Sequence, residues 1–356
     1  MSTFLNERHP IITADLNSIL SSELPWSFLD GKTVLVTGAY GFLAAYMVET
    51  MLYLNEQKRK PQIKVIALVR SETKARQRFQ AYFGRPDLEF LVQDVVKPID
   101  YSGKIDYIVH AASKASPKYY AVAPVDIIGA NVFGTHNVLQ LAQRKNAKGV
   151  LYFSTSEVYG EIDGSEAFIR EDSYGRLDPT QIRSCYAESK RLGETMCIAW
   201  AQQYEVPVRI VRPFHTYGPG MDLEDGRVFA DFVADVVARR NIVMRSDGRA
   251  QRAFCYSADA VSGFFSILLN GQPGQAYNLG NPKGIISIGE LAELMVNIFP
   301  DRELRVIRQG VKDNGYLPSR VLRSCPDIDK IRQLGWYPIT GLAEGFRRTV
   351  LSYDNS

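Results

Sequence analysis

Cysteine and histidine are scarce, with four of each in 356 residues. Cys185, Cys197, Cys255 and Cys325 form no CxxC pair, which argues against a disulfide framework or a thiolate zinc site and suits free thiols in a reducing cytoplasm. His9, His110, His136 and His215 show no ligand spacing, so no metal is expected. Long apolar runs are missing too: nothing approaches the roughly 20 residues of a membrane span. The opening MSTFLNERHP lacks a basic end followed by an apolar run, so no signal peptide is expected. Net charge is only +3, from 42 basic and 39 acidic residues. That gives no electrostatic reason to expect nucleic acid or an anionic membrane as partner. The densest basic run, Lys58-Arg59-Lys60 before Pro61, reads as a solvated loop. Internal repeats and low-complexity tracts are absent.

What remains is an evenly spread 46% of hydrophobic residues, a globular composition. Continuously apolar runs at 33–37, 64–69, 88–93, 106–112, 149–155 and 208–214 read as strands. Helical patterns alternate with them at 42–55, 125–144 and 184–203, and further helices are expected near 228–239, 257–269, 287–298 and 342–352. Alternation with fully apolar strands predicts an α/β fold: a Rossmann-like, doubly wound parallel sheet with a smaller, partly interleaved C-terminal α/β substrate lobe. We divide the chain into an extension (1–30), a dinucleotide-binding lobe (31–212) and a mainly substrate-binding lobe (213–356). In the extension, Leu16, Ile19, Leu20 and Leu24 form one apolar stripe of a short docking helix.

TGAYGFL (37–43) joins the first strand to the first helix. There Gly38 can turn tightly and Gly41 lets backbone approach a pyrophosphate, with Ala44 in the place of a third glycine. Tyr40, Phe42 and Leu43 of this loop, Asp94-Val95 after strand three and Ala111-Ala112 after strand four are further candidate cofactor contacts. An acid ending strand two would select NAD, and an arginine there can accommodate the extra phosphate of NADP. Arg70-Ser71 stand at that place and lean toward NADP.

Tyr186 and Lys190 are four residues apart on a predicted helix and therefore share a face. An ammonium near a phenol favours the phenolate and lowers a tyrosine pKa from its usual value of about 10. Such a phenolate can act as general base toward a sugar or alcohol hydroxyl. The pair follows a strand that ends in hydroxyls, STSEVYG (154–160).

The stretches TGAYGFL, VQDV, HAASKASPKYY, NVFGTHNVL, STSEVYGE, RSCYAESKR, RPFHTYGPGMDLEDGRV, QRAFCY, NLGNP and PDIDKIRQLGW together cover about Lys32 to Arg348. They resemble extended short-chain dehydrogenases/reductases of the NAD-dependent nucleotide-sugar epimerase/dehydratase group, and within it UDP-glucuronate decarboxylases most. The resemblance implies a homodimer paired through helices 125–144 and 184–203, with a nucleotide-sugar substrate, UDP-linked in the decarboxylases. It implies Tyr186 as base at the sugar 4-hydroxyl with Lys190 as its partner, Thr155 bonded to O4, and hydride transfer from C4 to give a 4-keto sugar. It places Arg252 at the anionic groups of the substrate, with Lys114, Arg183, His215, Arg227 and Arg323 as further substrate contacts. Related dehydratases carry Asp-Glu after the threonine, where this chain has Ser156-Glu157. Serine is a weak acid, which argues against dehydration and for decarboxylation, with Glu157 acting near C5 and Ser156 on the carboxylate. His215 replaces an asparagine and Lys114 a proline of the decarboxylase pattern, and Arg70-Ser71 replace the usual acid. A redox-neutral cycle favours retained NAD, against the NADP leaning of Arg70-Ser71. An epimerase, an NADPH-dependent 4-ketosugar reductase and an inactive dinucleotide-binding protein remain the alternatives.

Overall fold

A computed structural model describes residues 8–57, 62–162, 167–309 and 321–354. The basic run 58–60 and Pro61, expected as a loop, lie outside the described residues.

The chain begins with α1 (Pro10–Leu20), then alternates β1 (Thr33–Thr37), α2 (Phe42–Gln57), β2 (Lys64–Val69), α3 (Glu72–Arg78), β3 (Leu88–Val92) and β4 (Tyr107–His110). There follow α4 (Pro124–Lys145), β5 (Gly149–Phe153), α5 (Ser184–Tyr204), β6 (Val208–Pro213), β7 (His215–Tyr217), α6 (Val228–Val237), β8 (Ile242–Met244) and β9 (Gln251–Tyr256). The remainder comprises α7 (Ser257–Asn270), β10 (Ala276–Leu279), β11 (Ile285–Ser287), α8 (Ile288–Ile298), β12 (Val306–Arg308), β13 (Arg323–Ser324), α9 (Asp329–Arg332) and α10 (Leu342–Leu351).

Seven strands form one parallel sheet in the order β10-β6-β5-β4-β1-β2-β3. Side chains alternate across it. Val34, Val36, Val65, Ala67, Val109, Leu151 and Val211 face α2 and α7, whereas Leu35, Ile66, Leu68, Ile108, Val150 and Tyr152 face α4 and α5. Both faces are therefore covered, which is why the central strands are apolar at nearly every position. Strand order reverses between β1 and β4, and in such sheets ligands bind outside the carboxyl ends of the strands at that switch point.

Two features escaped the sequence. α3 is short and polar, and Ser71 caps it by accepting from the Lys74 amide at 3.4 Å. β10, from within 213–356, supplies the edge strand beside β6. A smaller sheet, β11-β9-β13 with β7 alongside β9, sets His215 opposite Phe254.

The stripe expected in the extension is buried at Leu16 and Ile19, and Leu20 and Leu24 pack against the same core. α1 lies on α2 and α7. Among the described residues no helix is long and apolar enough to cross a membrane.

Candidate functional site

The turn after β1 brings backbone segments unusually close. Gly38 has φ +65°, and a Cβ there would stand 2.8 Å from Ala112 Cα. At Gly41 a Cβ would stand 3.1 Å from the Gly38 carbonyl oxygen. Only glycine leaves that cradle open at Gly38. A hydrogen-bonded chain holds its walls. The Ala112 amide donates to Thr37 Oγ1 at 3.2 Å, Thr37 Oγ1 lies 2.8 Å from His110 Nδ1, and His110 Nε2 lies 3.1 Å from Thr135 Oγ1. Thr135 spends its hydrogen on the Asn131 carbonyl at 2.5 Å, so it accepts from His110 Nε2–H, and Nδ1 accepts from Thr37. This assigns the tautomer. Burial, with the Lys190 charge, pushes the His110 pKa down to about 3, so the ring is neutral. The buried Ser113 Oγ has no protein partner among the described residues. An open glycine cradle and an unused buried hydroxyl fit a dinucleotide. Its contacts would be Gly38, Tyr40, Gly41, Phe42, Leu43, Ala111 and Ala112.

At the rim, the Asp94 carboxylate accepts from the Val96 amide at 3.2 Å, and Asn137 holds the Val95 carbonyl at 2.9 Å. Arg70 is exposed at the end of β2, and the Ser71 hydroxyl already serves as the α3 cap.

α5 buries both Tyr186 and Lys190. Their electrostatics differ from expectation. Burial pushes the Tyr186 phenol well above its usual range, helped by Glu157, and the Thr155 hydroxyl and Arg227 partly offset this. Burial pushes Lys190 down to about 7. Lys190 Nζ donates to the Phe153 carbonyl at 2.6 Å and lies 5.0 Å from the Tyr152 ring centroid. The cation acting on the phenol in this state is thus Arg227, and the expected acidification by Lys190 is not found, because desolvation outweighs it for both groups.

A second cluster surrounds the phenol. Tyr120 stacks on Tyr186 with ring centroids 5.3 Å apart. Thr155 Oγ1 accepts from the Glu157 amide at 3.2 Å, opening the short turn Ser156–Tyr159. The Glu157 carboxylate accepts from Arg183 at 3.3 Å, and Arg183 also lies over Tyr120. Arg227, paired with Asp225, acts on both Tyr186 and His215. Burial and the charges of Arg252 and Arg227 push His215 well below its usual pKa, so it is neutral, and its buried Nδ1 has no partner among the described residues.

The sequence candidates therefore separate. Thr155, Glu157, Arg183, Tyr186 and Arg227 converge, Ser156 follows Thr155 in the turn, and His215 feels the charges of both Arg227 and Arg252. Arg252 donates to the carbonyls of Gln251, Val321 and Leu322, so these contacts are internal rather than turned to a substrate. Lys114 pairs with Asp126 at 3.1 Å. Arg323 is exposed and donates to Gln251 and the Ala167 carbonyl. Sequence reasoning missed Tyr120, His110 and the pair Glu194–Arg212. HAAS after a strand marked His110, but a lone histidine carries no role without its partners. Among the described residues no cluster of His, Cys, Asp or Glu could hold a metal ion.

Comparison with known proteins accords with this geometry. UDP-glucuronic acid decarboxylase 6 of Arabidopsis thaliana is 35% identical over 320 residues, covering 89% of this chain and 88% of the relative. UDP-glucuronic acid decarboxylase 1 of Danio rerio is 33% identical, covering 90% and 72%. A dTDP-glucose 4,6-dehydratase from Streptomyces venezuelae, solved with NAD and TYD bound, is 27% identical with a TM-score of 0.76, covering 90% and 96%. Residues 34–280 match the model of the NAD dependent epimerase/dehydratase family, and the chain belongs to that family.

Proposed function

We propose that the chain decarboxylates a UDP-linked glucuronate through a 4-keto intermediate, with NAD retained through the cycle. The observation that carries this reading is the buried Tyr186 phenol, on which the Thr155 hydroxyl and the Arg227 charge act, in a fold that also carries the glycine cradle. The two curated relatives described above are named for this reaction.

In this mechanism Thr155 holds the sugar O4, and Tyr186 accepts the proton of the 4-hydroxyl as a phenolate, once its buried phenol has given up its own proton. Bound NAD supplies the hydride acceptor at C4 and the donor that restores it. The C5 carboxylate of the 4-ketone is then a β-keto acid. Its C5–C6 bond breaks, carbon dioxide leaves, and the electron pair passes into the enolate at O4. A proton must then reach C5. Glu157, on the turn beside Thr155 and paired with Arg183, would relay this proton from a water molecule to C5, its carboxylate taking one proton and passing it on. Ser156 offers a hydroxyl donor without the acidity that would expel a 6-hydroxyl.

One consideration supports NAD over NADP: a redox-neutral cycle needs no exchange with a reductant pool. A homodimer fits the exposed apolar residues Val125, Ile128 and Phe133 of α4 and Leu192 and Ile198 of α5, which lie on two helices packed together. The four free cysteines support action in the cytoplasm.

The test is incubation of the purified protein with UDP-glucuronate, read by NMR of the product. A UDP-pentose with release of carbon dioxide is expected. A product that keeps its C6 carboxylate would overturn decarboxylation and point to epimerisation. Stoichiometric consumption of NADPH would point to a ketosugar reductase.

A further inference from the structure

One helical turn beyond Lys190, α5 carries a buried carboxylate that the chemistry above does not use. Glu194 receives Arg212 of β6 through two parallel hydrogen bonds, Nε to Oε1 at 2.9 Å and Nη2 to Oε2 at 2.6 Å. Both side chains are only 12% exposed. Ser154 adds a third bond, its hydroxyl donating to Glu194 Oε1 at 2.5 Å. Arg212 goes on to donate to the Tyr159 hydroxyl and the Glu171 carbonyl, each at 2.9 Å. Tyr159 donates in turn to Asn278 of β10 at 2.5 Å. One carboxylate thus ties the helix bearing Tyr186 and Lys190 to the ends of β5, β6 and, through Arg212 and Tyr159, β10. Ser154 immediately precedes Thr155, so the same bond fixes the strand end that presents the Thr155 hydroxyl.

We propose that Glu194 is a positioning residue for the Tyr186–Lys190 turn: held by Arg212 and Ser154, its carboxylate locks α5 against the strand end bearing Thr155 and supplies the negative charge that favours the Lys190 ammonium. The groups facing Lys190 support this. They are the Tyr152 ring and Phe153 carbonyl of β5, His110 of β4, and Cys197 and Glu194 of its own helix. His110 is neutral, and burial raises the Cys197 thiol well above its usual value, so that group is uncharged too. Glu194 is left as the carboxylate that opposes the cost of burying Lys190. Arg212 compensates the Glu194 charge but is not among the groups that shift Lys190.

The inference rests on the proposed role of Lys190, and its test separates the two. Isotope-labelled lysine is followed by NMR across pH in the full chain, with Lys190→Arg assigning the signal. In Glu194→Gln, Lys190 should lose its proton about one pH unit lower than in the parent. The high-pH limb of nicotinamide reduction by UDP-glucuronate should move down equally, with KM unchanged. Glu194→Gln leaves Arg212 unpaired, so Glu194→Gln/Arg212→Gln is measured beside it, and the same downward shift is expected. An unmoved Lys190 titration in either folded variant overturns the proposal. So does failure of both to fold, which would make the pair purely structural. A parent protein that never reduces nicotinamide with UDP-glucuronate sinks the proposed reaction, while the titration still decides the role of Glu194.

Discussion

Asp15→Asn should make this protein more stable, and by an amount that depends on pH. α1 carries Asp15 to full burial between three other elements. Its Oδ2 accepts from the Tyr46 hydroxyl of α2 at 3.1 Å and from the Tyr256 hydroxyl of β9 at 2.8 Å, while Arg348 of α10 lies 3.5 Å from Oδ1. Burial raises its pKa from 3.8 to about 6; the two phenols and Arg348 only partly offset this, and Asp259 adds to it. Both phenols are pushed up in turn, so they stay neutral donors. A rise of about two units corresponds to about 3 kcal/mol at about 1.4 kcal/mol per unit. The sign follows from which state holds the proton more tightly, here the folded one. The folded chain suffers no penalty below about 3.8, loses stability as pH rises toward about 6, and carries the full cost above it. Asparagine keeps an acceptor for the phenols without the charge, and Arg348 keeps Glu344 at 2.7 Å. Urea denaturation of parent and variant across a pH series measures the difference. The variant should gain up to about 3 kcal/mol near neutral pH and almost nothing near pH 4. A variant less stable than the parent at neutral pH, or a gap that stays level with pH, would refute the reasoning.

Further outcomes follow from the site. Gly38→Ala places a Cβ 2.8 Å from Ala112 Cα at φ +65°; the left-handed conformation alone costs about 1–2 kcal/mol, so both the denaturation midpoint and NAD affinity, by fluorescence titration, should fall. Tyr186→Phe should keep the fold and the bound nucleotide but slow nicotinamide reduction by UDP-glucuronate roughly 10²–10⁴-fold in single-turnover absorbance. Lys190→Met should abolish that reduction and yet raise the melting midpoint near pH 6. The folded chain must bury an ammonium whose pKa has dropped from 10.5 to about 7, and the gain should shrink as pH rises through about 7.

The sheet was legible because a strand buried on both faces has no polar alternative. GVLYF at β5 is buried throughout, and its pattern needs no tertiary knowledge. α3 was not legible, since ETKARQR offers no apolar periodicity and its start depends on a single serine cap. β10 could be read as a strand, but its place beside β6 is a long-range pairing that local sequence does not encode. The site divides the same way. Tyr186, Lys190, Thr155 and the glycines stand at fixed spacings within single elements. Tyr120, Asp15 and the Glu194–Arg212 pair act only through partners far along the chain, so nothing local marks them. The bonds from Arg252 to the Val321 and Leu322 carbonyls, just before β13, are likewise long-range contacts that local sequence does not show.

The same dependence on partners explains why the Tyr186–Lys190 spacing was read correctly and its electrostatics were not. Spacing puts two groups on one face, and a pairwise view then adds an attraction between opposite charges. Burial acts on each group separately and in opposite senses: the phenol holds its proton more tightly and the ammonium less tightly. Both shifts favour the neutral phenol and neutral amine over phenolate and ammonium. A working base therefore needs countervailing charge from outside the pair. The fold sets Arg227 and Thr155 against the burial of the phenol and Glu194 against that of the lysine, without reversing either shift. The electrostatics of this tyrosine are consequently set by three segments, α5, the end of β5 and the start of α6, and the motif that identifies it is only the part of that arrangement that lies within one helix.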